Sequence, residues 1–162
     1  PANIPGEILT RGTNTMLGYF KNPEATAEAL DADGWYHTGD NGVIDANGYL
    51  YIKGRKKNML LGPNGQNIYP EEIEHSLNNM LMVQESIVIQ RKPGELVALV
   101  YPDYNEAREL GLTEDNISNI MKLNAVDINE LIPAYERIHH IEISENEFEK
   151  TAKRTIKRYL YK

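Results

Sequence analysis

The residues of this chain whose types and spacing could do chemistry are a carboxylate, a guanidinium and a run of lysines. Asp40 closes GWYHTGD, Gly34 to Asp40, where two large aromatics run into Thr-Gly-Asp. Gly and Asp punctuate strands and tolerate the backbone angles of turns, so a β-turn accounts for most such triplets. Arg55 follows fifteen places later in GRKKN; taken alone it is an ordinary surface arginine. Lys150, Lys153, Arg154, Lys157, Arg158 and Lys162 give the last thirteen residues +6 with no acid, against a net charge of −7 for the whole chain. A basic tail on an acidic body suggests a local anion site, and a solvated helix face fits the charge equally well.

Other polar clusters point to structure. Glu71, Glu72 and Glu74 follow Pro70 at an expected helix start, where acids favour the helix dipole. His139 and His140 are adjacent in an expected strand and so point to opposite faces, which makes a shared metal improbable. There is no cysteine, hence neither a disulfide framework nor a Cys-based metal site. An acidic balance argues against a general nucleic-acid binder, because such proteins carry basic faces to displace counterions.

The elements that must hold these groups are short. With 162 residues and 41% apolar content, the chain suits one ordinary domain or two small ones. No apolar run is long enough to span a bilayer and no secretory leader is visible, so a soluble, cytoplasmic location is expected. GEILTRG, Gly6 to Gly12, reads as a strand with nothing before it to hold it. Asn22-Pro23 caps a short helix to Leu30. Gly42 to Ile44 and Tyr49 to Lys53 read as a hairpin through Asp45 to Gly48, making GWYHTGD a turn outside the strands. A second hairpin, Met59 to Leu61 with Gln66 to Tyr69, turns at GPNG. Pro70 opens a helix through Met80; strands follow at Val83 to Gln90 and Leu96 to Tyr101. Thr113 caps a helix toward Leu131 with an expected break near Asn124. Ile138 to Ile143 alternates as a strand, and the tail reads as helical from Thr155. From about Gly54 onward this is a complete small α+β unit.

The order of these pieces resembles the adenylate-forming superfamily of acyl-CoA synthetases, luciferases and peptide-synthetase adenylation domains. GEILTRGTNTMLGYFKNPEATAEAL, GWYHTGD and GYLYIKGRKKNMLLGPNGQNIYPEEIE are similar to three of its motifs, in its order, over about residues 6 to 74. The stretches LGPNGQNIYPEEIE and LIPAYERIHHIEI look most like long-chain fatty acid:CoA ligases. The resemblance implies an α+β fold: residues 1–54 as the β-rich end of a large N-terminal adenylation domain, and 55–162 as the small C-terminal mobile domain, with a β-hairpin, a three-stranded sheet and helices. It implies that Asp40 accepts hydrogen bonds from the ribose hydroxyls of ATP or AMP and that Arg55 supports the same nucleotide. It places the hinge at Lys57 and gives Gly65 to the loop lining the CoA channel.

The tail departs from the pattern. FEKTAKRTIKR, Phe148 to Arg158, is similar to the family's closing motif at Lys150-Thr151, Ile156 and Arg158. Glu149 stands for its proline, Arg154 for its glycine, and Thr155 for its catalytic lysine. A cation opposite developing phosphate charge is chemically required, so Lys153 or Lys157 is expected to take that role. The implied cofactors are ATP, CoA and Mg2+, the Mg2+ ligands lying upstream. The implied partners are a fatty acid, ATP, CoA and the missing N-terminal domain, with no nucleic acid, and with peripheral membrane contact reserved to the parent enzyme. The chain alone is expected to be inactive. The alternatives are a fragment of an amino-acid adenylation domain and a docking module without catalysis.

Overall fold

Short apolar runs separated by glycine- and asparagine-rich turns build sheets of few strands, and that is the architecture found. The structure, a computed structural model, describes residues 3–161. It resolves into two compact units, Pro1–Met59 and Leu60–Lys162.

The first unit is an antiparallel sheet with strand order β1-β2-β3 and one helix: β1 (Gly6–Thr10), α1 (Pro23–Ala29), β2 (Tyr36–Ile44) and β3 (Leu50–Arg55). Helix α1 starts as expected, because Asn22 Oδ1 accepts the Ala25 N–H at 3.0 Å and Pro23 needs no partner for a missing donor. Strand β1 is held by β2, which follows it. The β2–β3 turn is tied by Asp45 Oδ1, which accepts the Asn47 and Tyr49 amides, both at 2.9 Å.

The Thr-Gly-Asp sequence is not a turn outside the strands. It lies within β2, where Glu7 pairs with Asn41 but Leu9 pairs with His37, so Thr38, Gly39 and Asp40 stand against Ile8 alone. This is a β-bulge, and its physical cause is visible: Gly39 has φ +71°, a conformation that glycine adopts without strain. Among the described residues of this unit only Asn41 and Gly42 are buried.

The second unit begins with the hairpin β4 (Leu60–Leu61) and β5 (Asn67–Ile68), followed by α2 (Pro70–Leu77). Strands β6 (Val83–Lys92) and β7 (Glu95–Pro102) pair antiparallel. After α3 (Tyr104–Glu109) and α4 (Glu114–Leu131), β8 (Ile138–Ile143) joins parallel to β7, giving the order β6-β7-β8. The sheet is covered on both faces, so Ile87 to Ile89 of β6 and Leu96 to Val100 of β7 are consecutive apolar residues rather than alternating ones. Ile73, Leu77, Val88, Ala98, Val100, Met121 and Ile128 belong to one cluster; Ile87, Ile89, Val97, Leu99 and Phe148 form the other, with Ile156 and Tyr161 packed on it.

Several sequence expectations need correction here. Helix α2 stops at Leu77, three residues before Met80, where Asn79 Nδ2 caps the His75 carbonyl at 2.7 Å. Helix α3 was not expected; Asp103 caps it by accepting the Asn105 and Glu106 amides. Helix α4 is unbroken at Asn124, whose side chain turns inward and donates to the Leu81 carbonyl at 2.9 Å. The tail is not helical from Thr155: Lys150 bridges Ile156 in an extended return, and a short 3-10 turn spans Arg158–Leu160. Along this extended path Phe148, Ile156 and Tyr161 cover one apolar face of the sheet. Among the described residues, no helix is long and apolar enough to cross a membrane.

Candidate functional site

The bulge in β2 sets Asp40 directly opposite Arg55, the last residue of β3. Arg55 Nε lies 3.0 Å from Asp40 Oδ1, and its Nη1 donates to the Thr38 carbonyl at 3.2 Å. Thr38 ties the bulge together: its hydroxyl donates to the Ile8 carbonyl at 2.8 Å and accepts the Asp40 amide at 3.1 Å. Both charged side chains remain open to solvent, 33% exposed for Asp40 and 54% for Arg55. A carboxylate can accept several hydrogen bonds at once, and a guanidinium donates from a planar fork, so the pair offers both to a ligand on an open surface. Sequence reasoning singled out Asp40 and Arg55, which the structure pairs, and did not single out Thr38. The signal for Thr38 is weak, since a hydroxyl two places before an acid is common in turns.

Around the pair, Tyr36 hydrogen-bonds Tyr19, which raises its hydroxyl pKa above the usual 10.0, with Arg55 and Asp40 close enough to act on it in opposite directions. A cavity of about 240 Å³ is lined by Thr10, Asn14, Thr15, Met16 and Tyr36. It reaches Tyr36 but not the charged pair.

Lys57 lies in the 3-10 turn Lys56–Asn58 that follows β3, exposed, and two residues before the first unit ends at Met59.

In the second unit, Gly65 closes the β4–β5 turn. The Gly65 amide donates to the Gly62 carbonyl at 3.0 Å, and its φ of +80° suits glycine. A Cβ there would meet nothing within 4 Å, so backbone angle and not space selects the residue.

The tail makes a tight return whose amides close on Thr151: Thr151 N–H to Thr155 O at 2.8 Å and Arg154 N–H to Thr151 O at 2.9 Å. Arg154, standing where the resembled motif has glycine, keeps a positive φ of +60°. The tail cations differ in their partners. Lys150 pairs with Glu85, and Lys157 pairs with Glu149 at 3.1 Å, which raises its pKa. Arg158 pairs with the buried Glu74 and also donates to the Val88 carbonyl at 3.4 Å. Glu74 Oε1 in turn accepts the Val88 amide at 2.6 Å, so the two side chains satisfy the outer edge of β6. Burial pushes the Glu74 carboxyl above its ordinary 4.5, with Arg158 opposing. Lys153 and Thr155 are exposed at the turn, and Lys153 has no ion pair among the described residues. Glu74 and Arg158 therefore hold the tail in place, a role for which neighbouring sequence gives no sign, since 84 positions separate them.

Comparison with known proteins gives one consistent picture. Residues 57–161 match the family model described as the AMP-binding enzyme C-terminal domain. The chain is 46% identical over 113 residues to a methyl-dioxo-octahydro-indenyl-propanoyl:CoA ligase of Rhodococcus jostii, covering 69% of this chain and 22% of that one. It is 42% identical over 113 residues to the long-chain-fatty-acid–CoA ligase FadD13 of Mycobacterium tuberculosis, covering 67% of this chain and 22% of the relative. The chain thus spans about a fifth of the length of these curated relatives. Among solved structures, the A domain of a carboxylic acid reductase from Segniliparus rugosus, in complex with AMP and a co-purified carboxylic acid, superposes with a TM-score of 0.74 at 26% identity. That match covers 90% of this chain and 23% of the other.

Proposed function

Because the chain belongs to the AMP-binding enzyme C-terminal domain family of adenylate-forming CoA ligases, we propose that it serves an ATP-dependent acid:CoA ligase, residues 1–54 completing a larger adenylation domain and 55–162 forming the mobile domain. In the first half-reaction a carboxylate oxygen attacks the α-phosphorus of ATP and pyrophosphate leaves. In the second, the CoA thiol attacks the acyl carbonyl and AMP leaves. A long-chain fatty acid is the carboxylate we favour, on the LGPNGQNIYPEEIE and LIPAYERIHHIEI stretches and on the likeness to one long-chain relative. The relatives' names span different acids, so likeness alone does not choose among them.

The observation that carries the reading is the Asp40–Arg55 pair. Asp40 receives the ribose hydroxyls, and Arg55, held 3.0 Å away, orients that carboxylate and supports the nucleotide. Lys57 is the hinge between the two half-reactions, placed at an element end where a backbone change is absorbed locally. Gly65 lets the β4–β5 turn approach the CoA channel. Lys153 takes the role of the cation absent at Thr155, in preference to Lys157, because Lys157 is already engaged by Glu149. Among the described residues no group of three His, Cys, Asp or Glu is arranged to hold a metal ion, so this reading assigns no Mg2+ ligand to the chain.

Asp40→Asn in the full-length enzyme tests the reading. The expected result is a loss of ATP–pyrophosphate exchange of at least about tenfold, the scale of one charge-assisted hydrogen bond. Exchange at the parental rate would overturn it. Lys153→Ala should slow the same exchange more than Lys157→Ala. The isolated chain should form no thioester from ATP, CoA and palmitate, because most of the proposed cleft lies outside it.

A further inference from the structure

A joint turns cleanly only if the chain on one side of it is held, and in the first unit the holding contact comes from β1. Glu7, opposite Asn41 of β2, places its Oε2 2.8 Å from Lys56 Nζ and 3.4 Å from His37 Nδ1. Lys56 directly follows Arg55, the last residue of β3. The contact therefore staples the first strand to the end of the third, across the bulge that carries Asp40. The Lys56 hydrogen bond, with His37 adding to it, keeps the Glu7 carboxyl below its ordinary 4.5.

The two ends of the staple differ in burial. The Glu7 side chain is 19% exposed and that of Lys56 is 59% exposed. A pair with one end in solvent is a modest restraint and not a lock, which suits a segment that must also move. Past Lys56 the backbone makes one 3-10 turn, closed by the Met59 amide on the Lys56 carbonyl at 3.4 Å, long for a backbone hydrogen bond. The compact unit ends at that same Met59.

We infer that Glu7 is a positioning residue: through Lys56 it fixes the end of β3, keeps Arg55 beside Asp40, and confines the pivot to residues 57–59. The pivot half of this statement rests on Lys57 being the hinge of the proposed ligase. The restraint on Lys56 stands on the sheet alone, and the two halves are tested separately.

Amide hydrogen exchange of the chain, resolved by mass spectrometry over residues 55–59, tests the restraint in Glu7→Gln, Lys56→Gln and the double variant. Each single change should raise exchange of the 56–59 amides about two- to fivefold, the range of a surface ion pair. The double variant should go no further than either single, and α4 should keep its protection. Unchanged exchange in Glu7→Gln, or an effect in the double equal to the product of the singles, overturns the restraint. An effect in Glu7→Gln absent from Lys56→Gln places the restraint on His37 and also overturns it. In the full-length enzyme, Lys56→Gln should change the ratio of adenylation to thioester formation with melting unaltered, and Lys56→Arg should restore it. Raised exchange with an unaltered ratio overturns the pivot half. An unmutated enzyme with no ligase activity would instead sink the function proposed above and leave the exchange result standing.

Discussion

The two units divide the work unequally. The second unit has two apolar clusters around its sheet, with Ile73, Leu77, Ile87, Val97, Val100 and Ile128 all at 0% exposure. Among the described residues of the first unit no large apolar side chain is buried, yet it holds the Asp40–Arg55 pair and exposes Leu17, Phe20 and Ile52. The contrast teaches where each unit's order comes from: apolar burial in the second, and hydrogen bonds, turns and ion pairs in the first. Single surface ion pairs contribute little, so backbone pairing and turns carry most of the order in the first unit.

The comparison predicts its own largest effect in the second unit. Arg158→Ala would leave Glu74 buried beside Val88 without its cation, and breaking such a pair costs about 3 kcal/mol. Denaturant unfolding measures this; a loss near zero would mean that water replaces the guanidinium freely. Leu77→Ala should cost a similar amount, about 2–5 kcal/mol, as a cavity forms at a fully buried site. The matched change in the other unit, Ile52→Ala at 67% exposure, should stay within about 0.5 kcal/mol. Equal losses at Leu77 and Ile52 would break the comparison outright.

Much of the second unit was legible from local chemistry. Thr113 caps α4 in a reciprocal box with Asn116, Gly62 to Gly65 turn as their types require, and β8 occupies Ile138 to Ile143 as its alternation indicated. What escaped depended on partners far away in sequence. Asn124 looked like a helix breaker until its side chain met Leu81, and the tail looked helical until its apolar residues met the sheet. In the site, residue types marked Asp40 and Arg55, but bringing them together required the bulge. That bulge is a matter of register between β1 and β2, which no single segment encodes. The sequence leaves Lys153 and Lys157 equivalent, and it does not show that Glu149 faces Lys157.

A smaller effect separates stability from function. Asp40→Asn removes the charge from a pair in which Arg55 is more than half exposed, so unfolding free energy should change by under about 1 kcal/mol. The same substitution is the one expected to cost at least about tenfold in pyrophosphate exchange. In the second unit the order reverses: Leu77→Ala should damage stability first, and activity only through it. A variant at Asp40 that lost both equally would mean the pair is structural, and the division of labour between the units would fail with it.

The smallest expected effect is a difference in the sign of pH dependence. Glu7 is held below 4.5 chiefly by its hydrogen bond from Lys56, so its folded form binds a proton less readily than the unfolded chain does. Its contribution is present above the unfolded value and is lost as pH falls through the window below 4.5. Glu74 is shifted the other way by burial. Its folded form binds the proton more readily, so the fold gives up stability as pH rises through the window above 4.5. Arg158 opposes that shift, and Arg158→Ala should steepen the loss between pH 5 and pH 7. Hydrogen exchange followed from pH 3 to pH 7, corrected for intrinsic rates, should therefore show β1 gaining protection as pH rises at the acid end while β6 in Arg158→Ala loses it above pH 5. Parallel slopes in the two strands would show that one carboxylate has been given the wrong environment. Glu7→Gln identifies which, since it should flatten the slope in β1 and leave that in β6 alone.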